Sequence, residues 1–119
     1  MSNTHFSASV RPQDGVAVID LHGEINGTSE EALNRAYAQA ISQQPSAVLL
    51  NFAQVDYINS TGIALIVGLL AQARKAKHRL MTYGLSSHYQ EIFRITRLSD
   101  FMGMFDDEAS ALKSVKRET

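Results

Sequence analysis

The most constraining feature of this 119-residue chain is a buried strand that is closely followed by a helix. The strand is indicated by the apolar run Ala47–Phe52, which is typical of a parallel strand covered on both faces. The helix is indicated by a second apolar stretch, Ile63–Leu70, which continues as a polar and basic segment to Arg79. Asn59-Ser60-Thr61-Gly62 lies at the junction. The pattern favours an α/β fold.

Two further strands are predicted before this unit. Phe6, Ala8 and Val10 alternate with polar residues, which predicts a half-exposed strand. Val16–Leu21 predicts a more buried strand, and Pro12-Gln13-Asp14-Gly15 between the two is a strong turn signal. We therefore expect an antiparallel hairpin at one edge of the sheet.

A first helix is predicted after the hairpin. Thr28 and Glu31 have the spacing of a capping box, in which each side chain bonds a backbone N–H group near the other. The helix must end before Pro45, because proline cannot continue a helix interior. One face of the helix is marked by apolar residues at helical spacing: Leu33, Ala36, Tyr37, Ala40 and Ile41.

Strands and helices alternate through the rest of the chain. The remaining predicted elements are a strand at Leu80–Tyr83 closed by Gly84, a helix opened by capping-box spacing at Ser87 and Gln90, a short strand at Met102–Phe105, and a final helix capped by Asp106 or Asp107. We predict a single α/β domain over residues 1–119. Its mostly parallel sheet should have about five strands, an antiparallel N-terminal edge and about four helices.

Composition excludes several function classes. The chain has 11 basic and 12 acidic residues, so no global field indicates binding to nucleic acid or to anionic membranes. It has no cysteine, which excludes disulfides and thiolate metal sites and fits a reducing compartment. The N-terminus lacks the features of a secretory signal, and the longest apolar stretch, Ile63–Ala71, is too short to span a bilayer. We expect a cytoplasmic protein.

No set of residues has the pattern of a catalytic or metal site. The acids Asp106–Glu108 and the cations Arg74–Arg79 lie at a predicted helix start and helix end, where the helix dipole favours their charges. No glycine pattern matches a phosphate-binding loop. The histidines share no metal-ligand spacing: His5, His22, His78 and His88. We predict no enzymatic activity, no metal and no cofactor.

Ser60 and Thr61 stand at the predicted start of the central helix, where backbone N–H groups are unpaired and the dipole favours negative charge. Either hydroxyl could simply cap the helix. Alternatively, Ser60 could carry a phosphoryl group, which adds about −1.5 to −2 charges. The domain itself would tolerate that charge, so a phosphate would act on a partner that covers the helix entrance.

The order of these motifs resembles the STAS domain and, more narrowly, the bacterial anti-sigma factor antagonists. The resemblance extends from about Phe6 to about Val115 and is carried by Gly23-Glu24-Ile25-Asn26, the strand at Ala47, Asn59-Ser60-Thr61-Gly62 and Gly84. It implies that a serine kinase, itself the anti-sigma factor, phosphorylates the antagonist. The unphosphorylated antagonist binds this kinase and releases the sigma factor, and a PP2C-type phosphatase resets the cycle.

By this resemblance Ser60 is the phosphorylated residue, with Thr61 as a second candidate and as the helix-capping neighbour. Gly62 would allow close approach of the partner's backbone. The loop Gly23–Thr28 would lie beside the Asn59–Gly62 motif. The family usually carries Asp where this chain has Asn26 and Asn59. These two differences remove negative charge near the acceptor, and they also remove any carboxylate role in phosphotransfer or metal positioning. The implied partner-binding residues are Gly23, Glu24, Asn26, Asn59, Ser60, Thr61 and Gly62.

Two alternatives remain open at the level of sequence. Some small STAS proteins are non-switching subunits of membrane lipid-transport complexes and contact an ATPase subunit through the same surface. Others are signalling scaffolds that assemble with sister STAS domains. Ser60 favours the switch, because a structural subunit needs no hydroxyl there, although helix capping would explain it too. We expect the free protein to be a monomer.

Overall fold

A five-stranded sheet forms the centre of the molecule. The computed structural model describes residues 5–117. Within that range the strands are β1 (Ser7–Gln13), β2 (Val16–Ile25), β3 (Val48–Ile58), β4 (Leu80–Tyr83) and β5 (Gly103–Phe105), and the helices are α1 (Glu30–Ser42), α2 (Ser60–Lys75), α3 (Ser87–Ile95) and α4 (Glu108–Arg117). The spatial order of the strands is their order in the chain. β1 is antiparallel to β2, and all other neighbours are parallel.

The predicted architecture is confirmed, and the strand order explains its layers. The strands from β2 to β5 succeed one another in one direction across the sheet, so right-handed crossovers place α1, α2 and α3 on the same face. These three helices and the sheet enclose the larger core, with Ile19, Leu50 and Phe93 at its centre. α4 covers the opposite face through a smaller core that includes Leu49 and Ala111.

Burial on both faces explains the continuous apolar runs in β2 and β3. Val16–Ile19 and Ala47–Leu50 are all buried, with alternate residues directed into the two cores. Among the helices of residues 5–117, none combines the length and apolar character that crossing a bilayer requires.

The hairpin turn is shorter than the sequence predicts. Gln13 pairs with Val16, so the turn consists of Asp14 and Gly15 alone, while Pro12 lies within β1. Asp14 and Gly15 have φ angles of 54° and 83°, the left-handed pair that matches the twist of a tight hairpin. Pro12 is tolerated because β1 is an edge strand.

β2 and β3 extend beyond their predicted ends. β2 runs to Ile25 instead of Leu21, and β3 runs to Ile58 instead of Phe52. The two extensions pair with each other, but the register shifts twice. Gly23 lies at one of the shifts with a φ of 90°, a left-handed conformation that favours glycine. Such irregularities interrupt the period-two pattern that identifies a strand in sequence.

The capping box predicted from Thr28 to Glu31 is wrong. The box is formed instead by Asn26 and Ser29, which close a 3-10 turn over Gly27–Ser29 just before α1. The backbone N–H of Asn26 donates to the Ser29 hydroxyl at 3.0 Å. This segment contains two pairs with capping-box spacing, so spacing alone does not identify the pair that forms the box.

The start of α3 is displaced by one residue, whereas the start of α4 is as predicted. Ser86, rather than Ser87, caps α3 by accepting a hydrogen bond from the backbone N–H of Tyr89 at 3.3 Å. Asp107 accepts a hydrogen bond from the backbone N–H of Ser110 at 2.8 Å at the start of α4.

A polar network fastens α4 to the sheet on the face opposite the larger core. Arg11 donates to Asp20 at 2.7 Å and to Glu108 at 2.5 Å, and so joins β1, β2 and α4. Asn51 donates to Asp20 at 2.8 Å, and the Tyr83 hydroxyl donates to Glu108 at 3.0 Å. The network therefore takes one residue from each of four neighbouring strands.

The network shifts the pKa values of its members. The hydrogen bond from Arg11 holds the pKa of Glu108 below its ordinary value. Burial acts to raise the pKa of Asp20, but hydrogen bonds from Arg11 and Asn51 outweigh it, and the net shift is downward. Burial and the Glu108 carboxylate raise the pKa of Tyr83 to about 12.

The face of α2 that contacts the sheet supplies a first prediction. Ile66 and Leu69 are buried as expected, Leu65 is only partly buried, and Gln72 and Lys75 are exposed. Leu69→Ala should lower the free energy of unfolding by about 2–5 kcal/mol through loss of contacts and a cavity. Urea denaturation measures this loss, with Leu65→Ala as a control of smaller effect. A loss below about 1 kcal/mol for Leu69→Ala would contradict the assigned face.

The polar network supplies a second prediction, on acid stability. The pKa values of Asp20 and Glu108 are lower in the folded chain than in the unfolded chain, so both carboxylates stabilise the fold at pH values above their unfolded pKa values. This stabilisation is lost as the pH falls through their folded pKa values. Arg11→Met should cost about 1–2 kcal/mol at neutral pH, the scale of partly exposed charged hydrogen bonds.

The measurement is urea denaturation of both proteins between about pH 7 and about pH 3. The gap in unfolding free energy between wild type and Arg11→Met should narrow as the carboxylates become protonated. A gap that stays constant with pH would mean that Arg11 stabilises the fold through packing alone.

Candidate functional site

The candidate site lies where β2 and β3 end and α2 begins. Ile25 and Ile58, the last residues of these two parallel strands, are register partners. The residues that follow them, Asn26 and Asn59, therefore leave the sheet side by side at the same edge. The backbone N–H of Asn59 donates to the carbonyl of Ile25 at 3.2 Å, which ties the two strand ends together.

Asn59 is the N-cap of α2. Its Oδ1 accepts a hydrogen bond from the backbone N–H of Gly62 at 2.8 Å, and its carbonyl accepts one from Ile63 at 2.9 Å. The expectation that Ser60 or Thr61 caps the helix is therefore wrong. Asn and Asp serve about equally as N-caps, so the amide at position 59 leaves the helix start intact.

Ser60 is exposed at the first position of α2. Within residues 5–117 its hydroxyl has no hydrogen-bond partner, and the same holds for the exposed hydroxyl of Thr61. Because Asn59 satisfies the capping position, the fold makes no use of the Ser60 hydroxyl. The unpaired backbone N–H groups of the first turn favour negative charge at this point.

Gly62 has a structural role that the sequence did not indicate. A Cβ atom at this position would lie 2.2 Å from the carbonyl oxygen of Ile25 and 2.9 Å from the side chain of Ile58. Only glycine lets the first turn of α2 lie against the end of β2. Gly62 is buried, and the close approach that it permits within the chain is to the end of β2. The approach of a partner backbone at Gly62 stays a prediction.

Asn26 organises the turn beside α2. Its Oδ1 accepts hydrogen bonds from the backbone N–H of Thr28 at 2.9 Å and from the Thr28 hydroxyl at 2.6 Å. Its amide nitrogen donates to the Glu24 carboxylate at 3.2 Å. An aspartate at position 26 would instead place a second negative charge against Glu24. The neutral amide is therefore suited to this particular chain.

This turn borders the start of α2. A Cβ atom at Gly27 would come within 3.5 Å of the methyl group of Thr61. The predicted loop Gly23–Thr28 is thus the end of β2 followed by a 3-10 turn. Its exposed residues, Gly27 and Thr28, lie beside the start of α2, and together with Ser60 they form the edge that we call the rim. Gly23 is buried below that rim, while Glu24 is partly exposed.

Sequence reasoning missed the contribution of α3 to the site. The Tyr89 hydroxyl accepts a hydrogen bond from the backbone N–H of Ile58 at 2.8 Å and donates to the Ile58 carbonyl at 3.3 Å. This pairing holds the start of α3 against the end of β3. A groove of about 400 Å³ opens between α2 and α3, with Ser60, Tyr57 and His88 along its walls. The sequence pattern predicts Tyr89 as a core residue, and no local pattern indicates that it bonds Ile58.

The chemistry available at this rim is limited. Among the described residues, no three His, Asp or Glu side chains are grouped as metal ligands would be. The rim offers a free hydroxyl, neutral amides and the backbone N–H groups of a helix start. Such a set can receive a phosphoryl group or bind a partner, and within residues 5–117 no base is hydrogen-bonded to the Ser60 hydroxyl.

Comparison with known proteins identifies relatives of the chain. A family model described as the STAS domain matches residues 7–111. A Bordetella bronchiseptica protein provisionally named anti-sigma factor antagonist BtrV is 28% identical over 92 residues, which is 77% of each chain. The anti-sigma-B factor antagonist of Listeria monocytogenes is 28% identical over 80 residues, covering 67% of this chain and 70% of the relative.

Solved structures share the fold. The anti-sigma factor antagonist SpoIIAA in its unphosphorylated form has a TM-score of 0.70 at 19% identity, over 97% of this chain and 100% of that chain. The phosphorylated form of Bacillus SpoIIAA has a TM-score of 0.68 at 21% identity, over 93% of this chain and 99% of that chain. At these identities the similarity establishes the fold alone.

The capping assignment leads to a testable prediction. Asn59→Ala should lower the unfolding free energy by about 0.5–2 kcal/mol, because the N–H of Gly62 loses its acceptor. Ser60→Ala and Thr61→Ala should each change it by less than about 0.5 kcal/mol, because neither hydroxyl bonds the fold. Urea denaturation of the three variants measures these changes. A loss in Thr61→Ala as large as that in Asn59→Ala would contradict the assignment.

Proposed function

This chain belongs to the STAS domain family, and we propose that within it the protein acts as an anti-sigma factor antagonist. In this proposal it binds an anti-sigma serine kinase and so releases a sigma factor. Phosphorylation of Ser60 abolishes that binding, and a PP2C-type phosphatase restores it. The protein works by binding and carries no catalytic activity of its own.

The observation that carries the proposal is the free hydroxyl of Ser60. The side chain is exposed at the start of α2 and has no hydrogen-bond partner within residues 5–117. Capping, the structural alternative for a serine here, is performed by Asn59. A hydroxyl that is accessible and unused by the fold is suited to modification by a kinase.

The physical basis of the switch is a difference between the free and the bound state. In the free protein, a phosphate on Ser60 would meet solvent and the unpaired N–H groups of the helix start, which favour its charge. In a complex, a partner that covers the helix entrance would have to desolvate this charge, at a cost of several kcal/mol. Phosphorylation would therefore act on binding and leave the fold unchanged.

The neutral residues around Ser60 are compatible with a phosphate there, and they leave no carboxylate at positions 26 and 59 to take part in phosphotransfer or metal positioning. Asn59 and Asn26 stand where the family usually carries aspartate, so a phosphate at Ser60 would not face their negative charges. Glu24 is engaged by the amide of Asn26. The names of the similar proteins also support the proposal. Both relatives are named anti-sigma factor antagonists, and SpoIIAA has been solved in a phosphorylated and an unphosphorylated form.

The phosphorylation site is tested by intact-mass analysis after incubation with ATP and an anti-sigma kinase encoded in the same genome. We expect wild type and Thr61→Ala to gain the mass of one phosphoryl group and Ser60→Ala to gain none. If the gain persists in Ser60→Ala and disappears in Thr61→Ala, the acceptor is Thr61. If no kinase modifies either residue, the non-switching transport-subunit function replaces the proposal.

The effect on binding is tested by calorimetric titration of the same kinase. Ser60→Ala should bind at least as tightly as wild type, because the buried group stays neutral. Ser60→Asp should bind about tenfold more weakly or worse, a loss of at least about 1.4 kcal/mol, because a carboxylate is buried without a cation. Equal affinities for the two variants would contradict a charge-based switch.

A further inference from the structure

The groove that begins at Ser60 continues along the whole length of α2. Its first part lies between the starts of α2 and α3, and a second part of about 400 Å³ lies between the end of α2 and the residues after α3. Thr96 lines both parts, so the two cavities adjoin, and together they are called the α2–α3 groove. The groove runs from Ser60 to Arg74.

One side of α2 forms a wall of this groove. The lining residues Ser60, Ile63, Val67, Ala71 and Arg74 follow one another at intervals of three or four residues. Such intervals place side chains in one row along a helix. The row from Ser60 to Arg74 is about 21 Å long, which is the length of about four helical turns.

Large apolar side chains are exposed along the groove. Tyr57, Val67 and Phe101 have 52%, 44% and 53% of their surface exposed, and each of them lines it. Single exposed apolar residues are ordinary on protein surfaces, but three that line one groove favour the binding of another chain there.

The two ends of the groove differ in charge. At the far end, the Arg74 guanidinium lies 4.3 Å from the centre of the Phe101 ring, and no carboxylate within residues 5–117 pairs with it. Arg97, nearby, is cationic and exposed, although it is paired with Asp100 at 2.5 Å. At the near end, the polar lining groups include Ser60, Asn59 and the imidazole of His88, and no carboxylate, lysine or arginine lines this part. The groove therefore suits an occupant that is acidic at one end only.

We propose that the α2–α3 groove binds an amphipathic helix of the anti-sigma kinase, about four turns long, with an acidic residue at Arg74. Its apolar face packs against Val67 and Phe101, as helices do in apolar grooves. Its other end covers Ser60. This assignment rests on the proposed function, because it names the segment of the partner that the switch controls.

The arrangement explains how one phosphate displaces an extended contact. The bound helix reaches its electrostatic anchor at Arg74 only when its opposite end lies over Ser60. A phosphate on Ser60 places a desolvated charge under that end, at the opposite end of the groove from the Arg74 guanidinium.

The test is calorimetric titration with the kinase that phosphorylates Ser60. Val67→Glu puts a charge in the middle of the groove and should weaken binding at least tenfold. Gln72→Glu is the matched control, since it adds the same charge to an exposed position of α2 outside the groove, and it should bind within about twofold of wild type. Arg74→Met should weaken binding and reduce its salt dependence, because the acidic contact is lost.

The outcomes distinguish failure of the groove proposal from failure of the proposed function. If Val67→Glu binds like wild type while Ser60→Asp does not, the groove proposal is overturned and the proposed function stands. If Val67→Glu weakens binding but Arg74→Met does not, the acidic character of the occupant is overturned. If wild type binds no anti-sigma kinase, both proposals are overturned. A dimer of the wild-type protein that Val67→Glu dissociates in sedimentation would assign the groove to a second copy of this chain.

Discussion

The first turn of α2 lies directly on the end of β2, and the site depends on this contact. Gly62 makes it possible, because any side chain would collide with the carbonyl of Ile25. The contact fixes the position of Asn59, which caps the helix and also bonds the end of β2. Ser60 is the next residue along the chain. Its exposure is therefore a direct result of backbone packing beneath it.

The molecule separates the interactions that stabilise the fold from the groups that are free to bind. Asn59 and Tyr89 hold the strand ends and helix starts in place with hydrogen bonds that involve no exposed hydroxyl of α2. The charged network around Arg11 fastens α4 on the opposite face of the sheet. A change of charge at Ser60 therefore breaks none of these hydrogen bonds, as the proposed switch of binding requires.

The fold was largely predictable because its signals are local. The apolar run at Ala47–Phe52 and the helical pattern after Ile63 identified the central strand and helix, and the alternation of elements implied a parallel sheet. The errors fell where local signals compete. Thr28 and Glu31 have capping spacing, but Asn26 and Ser29 form the box. The bulged end of β2 at Gly23 breaks the strand period, so the sequence underestimated both central strands.

The sequence by itself determined the order of the elements and the location of Ser60 at a helix start, because periodicity and turn residues act over a few neighbouring positions. Only the tertiary structure decided that Asn59 caps α2, that Gly62 serves the contact with Ile25, and that Tyr89 bonds Ile58. The Asn59 cap joins residues only three apart, and the end of β3 at Ile58 is what selects Asn59 over Ser60 and Thr61. The roles of Gly62 and Tyr89 depend on groups that are far apart in the chain and meet only when right-handed crossovers bring the strand ends to one edge of the sheet. No pattern within a single segment carries that information.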